Sequence, residues 1–129
     1  YEGGNKMKAI YVCSPYRAKD EQGLQENIKL ARRACELVTC MGDAPICPQL
    51  YFSQFIKERE TALEAGLALV GAADELWVIG SRISEGMAAE IHEATKLGKK
   101  VRCMTDPKVA EEHLLNTILM SKSEDEHGH

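Results

Sequence analysis

Apolar positions along this chain form short runs, separated by longer stretches in which they recur every three or four residues. The run KAIYVC, Lys8 to Cys13, ends at the turn signal SPY and predicts a first strand. From Glu21 to Met41, Leu24, Ile28, Ala31, Cys35 and Val38 follow at spacings of four, three, four and three, a helical stripe closed by Gly42. APIC, Ala44 to Cys47, predicts a second strand, and Pro45 and Pro48 put it at a sheet edge, because proline cannot donate to a ladder. Phe52, Phe55, Ile56, Leu63, Leu67 and Val70 predict a long, bent helix that contains Gly66 and Gly71. ELWVIG, Glu75 to Gly80, is apolar on both alternating faces, as a central parallel strand covered by helices should be. A third helix is predicted from Gly86 to Leu97, ended by Gly98, then a strand at KKVRCM. A last helix over Pro107 to Ser121 turns Val109, Leu114, Leu115 and Ile118 inward.

Strands and helices alternating with short connections predict an α/β fold: a three-layer sandwich, flavodoxin- or Rossmann-like, with a parallel sheet of four to five strands, right-handed crossovers and helices on both faces. Ligands bind such sheets outside the carboxyl ends of the strands. The loops to inspect are therefore SPYRAKDEQ, PQLY and SRISEGM, after the first, second and third strands.

Length and composition narrow the function. A chain of 129 residues with 44% hydrophobic content predicts one domain, over residues 7–121, burying about two thirds of its unfolded surface. The first six residues read as an appendage before Met7, and 122–129 as a disordered acidic tail that carries His127 and His129. A net charge of −4 lacks the basic footprint of a duplex nucleic-acid binder, so the expected partner is a small molecule rather than a nucleic-acid polymer. No apolar stretch approaches the roughly 20 residues of a membrane span, and no leader pattern is present, which predicts a soluble, cytoplasmic protein. The five cysteines, Cys13, Cys35, Cys40, Cys47 and Cys103, show no CxxC pairing, and several sit inside apolar patterns, as reduced core thiols do. His92 and His113 lack paired ligand spacing, so neither a metal nor a cofactor is expected. GxGxxG and GxxxxGK[ST] are absent from the strand-end loops, which argues against dinucleotide and P-loop binding. A flavodoxin-like electron carrier is disfavoured because the first loop lacks a Ser/Thr-rich phosphate cradle. Trp77 reads as core, and KERE as a solvated helix face.

One position departs from this pattern. Glu90 falls among Met87, Ile91 and Ala94, the core-facing stripe of the third helix, so its carboxylate should be partly shielded from water. It could simply complement the helix dipole, or it could be a functional carboxylate in a cleft. Tyr11, Ser14, Arg17, Ser84 and Gly86 gather at the same strand ends. Ser84 also suits a helix N-cap, and Tyr11 also suits a core aromatic.

IYVCSPYRA and SEGMAAE, taken together, resemble the nucleoside 2-deoxyribosyltransferase superfamily, which includes deoxynucleoside 5′-monophosphate N-glycosidases and small uncharacterised relatives. Ser84, Gly86 and Glu90 reproduce its spacing of Ser or Asp, one residue, Gly, three residues and a catalytic Glu, and the resemblance spans Lys8 to Met104. It implies cleavage or exchange of an N-glycosidic bond, with Glu90 as nucleophile and Tyr11 as the hydrogen-bond donor that orients it. It further implies substrate contacts from Ser14, Arg17, Ser84, Gly86 and Met87, with Ser84 and Arg17 favouring a 5′-monophosphate. The expected assembly is a homodimer or a higher even-numbered homo-oligomer. The acidic residue that the family commonly carries before the third strand falls near Gly66 here, with Glu60 and Glu64 nearby. A nucleotide-binding module without turnover is the alternative reading.

Overall fold

The structure is a computed structural model that describes residues 6–104. Its elements are β1 (Ala9–Cys13), α1 (Glu21–Cys40), β2 (Ala44–Ile46), α2 (Arg59–Ala72), β3 (Glu75–Ile79), α3 (Glu85–Lys96) and β4 (Lys100–Met104). The four strands form one parallel sheet in the order β2-β1-β3-β4. β2 is an edge strand, as Pro45 and Pro48 predict, and β3 lies inside the sheet with all five residues buried. The predicted helix over Pro107 to Ser121 and the acidic tail lie outside the described residues.

Alternation along the central strands divides the core in two. Ile10 and Val12 of β1 and Trp77 and Ile79 of β3 point to one face, where they pack with Ala31, Ala34, Leu37 and Val38 of α1. Tyr11 and Cys13, with Leu76 and Val78, point to the other and meet Val70 of α2 and Met87 and Ala94 of α3. The result is helix, sheet, helix, three layers with both faces of β1 and β3 dry. Parallel register sets Tyr11 beside Leu76 and Cys13 beside Val78, so two successive outward positions of β1 lie under the α2 and α3 layer.

The helix boundaries follow local chemistry. Asp20 caps α1, its Oδ1 accepting from the Gly23 N–H at 2.8 Å, and Ser84 caps α3 by accepting from the Met87 N–H at 3.3 Å. Gly80 ends β3 at φ +101°, a conformation that disfavours any side chain, and a Cβ there would sit 3.3 Å from Pro15 Cδ. Lys99 donates from Nζ to the Gly71 and Ala73 carbonyls at 3.0 and 2.7 Å, holding the end of α2 against the start of β4.

The segment before β3 corrects one expectation. In place of one long helix, the chain makes two short 3₁₀ turns, Pro48–Leu50 and Phe52–Gln54, and α2 starts only at Arg59. Tyr51, Phe52 and Phe55 satisfy one another instead of the sheet, with ring centroids 5.0 to 6.2 Å apart, and Phe55 stays 64% exposed. Leu63 also faces outward. The buried face of α2 runs through Gly66 and Val70, with Leu69 beside them. A helix that meets the sheet through a glycine approaches it closely, and larger residues such as Leu63 are turned to the rim.

Candidate active site

The carboxyl end of β1 and the first turns of α3 build the site. Tyr11 and Cys13 are two apart on a strand, so both side chains rise from one face. Glu90 lies one turn past Met87 on the inner stripe of α3, and its side chain descends onto that face. Tyr11 Oη donates a short hydrogen bond to Glu90 Oε2. Cys13 Sγ donates to Glu90 Oε1 at 3.5 Å and lies 3.7 Å from the Met87 carbonyl. Each carboxylate oxygen therefore has its own donor, and among the described residues no cation pairs with Glu90.

α2 closes the third side. A Cβ at Gly66 would lie 3.2 Å from both Glu90 Oε2 and Tyr11 Oη, so the helix backbone rests directly against the pair. The residue that stands where an acid is expected thus abuts Glu90, while Glu60 and Glu64 are exposed on other sides of α2.

Electrostatics agree with this geometry. Burial pushes the Glu90 carboxyl above its ordinary range, and the hydrogen bonds from Tyr11 and Cys13 offset only part of that. Burial first, and then the adjacent Glu90 charge and hydrogen bond, push both the Tyr11 phenol and the Cys13 thiol upward. Both donors consequently keep their protons. A half-buried carboxylate held by two neutral donors, without a counter-ion, is oriented and poorly solvated, as a nucleophile needs to be.

The other predicted residues fall into two groups. Met87 is 2% exposed, its side chain in the core beneath the site and its carbonyl beside Cys13. Ser14 is buried at the end of β1, where its Oγ accepts a short bond from Gln49 Nε2, which also donates to the Ser14 carbonyl at 3.1 Å. Ser84 is exposed at the rim of α3 and Gly86 is half-buried next to it, where an added Cβ would meet nothing within 4 Å. Arg17 is exposed in the first loop, and its guanidinium bonds to none of the described residues. Glu90 and Tyr11 are thus brought together, whereas Ser84 and Arg17 make no contact with them.

Three participants were not singled out from sequence for these contacts. Cys13 reads as a core thiol, yet its i, i+2 relation to Tyr11 was a usable signal. Gln49 straps the loop after β2 to β1, and nothing local marks it. Gly66 reads as a missing acid, and its close packing is visible only in three dimensions. Among the described residues no cluster of three or more His, Cys, Asp or Glu is placed to hold a metal ion. No described helix is long and apolar enough to cross a membrane. A depression lined by Met7, Lys8, Met41 and Asp43 lies at the opposite, amino-terminal edge of the sheet, away from Glu90.

Fold and site together define a small parallel α/β domain with a shielded glutamate at its carboxyl edge. The chain belongs to the family described as a domain of unknown function, DUF7768, whose model matches residues 8–104. Its fold is similar to that of a solved 2-deoxyribosyltransferase from Bacillus psychrosaccharolyticus, at a TM-score of 0.58 and 22% identity, over 75% of this chain and 72% of that one. That enzyme is described as a biocatalyst for nucleoside synthesis. No curated protein matches the sequence.

Proposed function

We propose that the protein cleaves or transfers the N-glycosidic bond of a small deoxynucleoside or nucleoside 5′-monophosphate, with Glu90 as nucleophile. The observation that carries the proposal is the Glu90 carboxylate itself, half-buried and held by Tyr11 and Cys13 at the carboxyl edge of a sheet. A 2-deoxyribosyltransferase of similar fold supports the same reaction class. In this reading Glu90 attacks C1′ of the sugar as the C1′–N bond breaks, and the electron pair leaves with the base. Water or a second base then releases the glycosyl group from Glu90. Ser84, Gly86 and the first N–H groups of α3 face the sugar or its 5′-phosphate, and Arg17 approaches from the first loop, whose base is the buried Ser14. Gly66 offers no acid, so the departing base takes its proton from solvent.

Incubation with a panel of deoxynucleosides and their monophosphates, with and without a second free base, followed by chromatography, tests the proposal. Release or exchange of base by the parent and its loss in Glu90→Gln is the expected result. No product from any substrate rejects catalysis. The absence of an acid at Gly66 favours a second reading, a nucleotide-binding module on the same fold. That module would show a ligand-dependent rise in melting temperature without product.

A further inference from the structure

Cys13 donates toward two acceptors at nearly equal distance, Glu90 Oε1 at 3.5 Å and the Met87 carbonyl at 3.7 Å. It is fully buried in the layer between β1 and α3, so water does not replace either acceptor. The two oxygens of Glu90 are held unequally. Oε2 takes its bond from a phenol, and Oε1 takes one of 3.5 Å from a thiol, a weak donor. The less firmly held oxygen is the better placed to form a bond. Once Oε1 joined a carbon, it would become the bridging oxygen of an ester and a poor acceptor, whereas Oε2 would become a carbonyl and keep the Tyr11 bond.

We infer that Cys13 is a positioning residue that holds the attacking oxygen, Oε1, and turns its thiol to the Met87 carbonyl once that oxygen is covalently engaged. The inference rests on the glycosyl-transfer reading of Glu90. In the step concerned, the Oε1–C1′ bond forms, the C1′–N bond breaks with its electrons going to the base, and the thiol changes acceptor without losing its proton. Tyr11 and Cys13 of β1 are the titratable groups in contact with Glu90. Cys47, just past β2, lies near enough to feel its charge, α2 sets Gly66 against the pair, and Arg59 of α2 reaches Glu85 in the first turn of α3. The buried thiol keeps its proton, so its role is that of a donor and not of a second nucleophile.

The test follows the Glu90 carboxyl by NMR in protein carrying carbon-13 glutamate, with Glu90→Gln used for assignment. Parent, Cys13→Ala and Cys13→Ser are titrated, and each has its melting temperature and its kcat and KM against pH measured. Loss of the donor in Cys13→Ala should raise the Glu90 midpoint by about half a pH unit to one. Cys13→Ser, with a stronger donor, should return it to the parent value or below. The acid limb of kcat should move with the midpoint while KM holds. A midpoint unmoved in both variants, even with lower melting temperatures, reduces Cys13 to packing and overturns the inference. A midpoint that moves as expected in a protein that releases no base keeps the hold on Glu90 and rejects the glycosyl-transfer reading instead.

Discussion

Replacing Gly66 by alanine adds one methyl group where α2 meets the Glu90–Tyr11 pair. That methyl would stand 3.2 Å from Glu90 Oε2 and Tyr11 Oη, tighter than ordinary contact, which begins at 3.4 Å. Tyr11 is 1% exposed on a central strand and cannot retreat, so the half-buried Glu90 side chain must yield. Alanine in a helix interior gains about 1 kcal/mol over glycine. A weakened hydrogen bond to a charged group costs about 1.5–3 kcal/mol. The net expectation is a loss of about 0.5–2 kcal/mol, or a few degrees in Tm for a chain of this size. Gly71→Ala, on the same helix, is the control, because its Cβ would meet only Leu97 Cδ1 at an ordinary 3.8 Å. It should be neutral or mildly stabilising. Thermal unfolding of the parent and both variants, alongside base release, reads the result. If Gly66→Ala stabilises as much as Gly71→Ala and leaves activity intact, α2 does not press on the pair.

Buried Glu75 and half-buried Glu90 should give opposite pH responses. Burial holds the Glu90 carboxyl above its ordinary range, so its favourable contribution to folding is complete at low pH and is lost as pH rises through the raised value. Glu90→Gln should therefore melt higher than the parent at neutral pH, with the gap closing as pH falls toward the ordinary carboxylate range. At Glu75, burial alone would raise the carboxyl, but hydrogen bonds from Lys8 and Trp77 and the charges of Lys8 and Arg102 outweigh it and hold it below the usual range. Glu75→Gln should melt lower than the parent at neutral pH, and its deficit should vanish as pH falls through that lowered value. Melting curves across pH check both, and matching slopes would contradict the two assignments. Trp77→Ala, which empties the largest fully buried side chain, should cost about 3–5 kcal/mol in urea unfolding. A cost below about 1 kcal/mol would contradict a closed core on the α1 side.

Much of the fold is legible in local pattern. β1, β3 and α3 lie within a residue or two of where apolar runs, the Ser84 cap and Gly98 place them, because these elements carry their own punctuation. The chain between Cys47 and Arg59 is not legible in this way. Its aromatic residues have helical spacing, but they pack on one another rather than on the sheet, a choice made by partners distant in sequence. Leu63 fails for a related reason: periodicity marks an apolar stripe but does not measure how closely a helix approaches its sheet.

The site divides along the same line. Sequence alone identified Glu90 as a carboxylate on an inward stripe and Tyr11 as a residue at the same strand ends, whereas Cys13 read only as a core thiol. Which face of β1 lies beneath α3, which donor takes which oxygen of Glu90, and the pressure of Gly66 on both were decided only by tertiary structure. Local sequence encodes period and caps, whereas contacts between residues far apart in the chain, such as Tyr11 with Glu90 across a separation of 79, depend on the packing of whole layers.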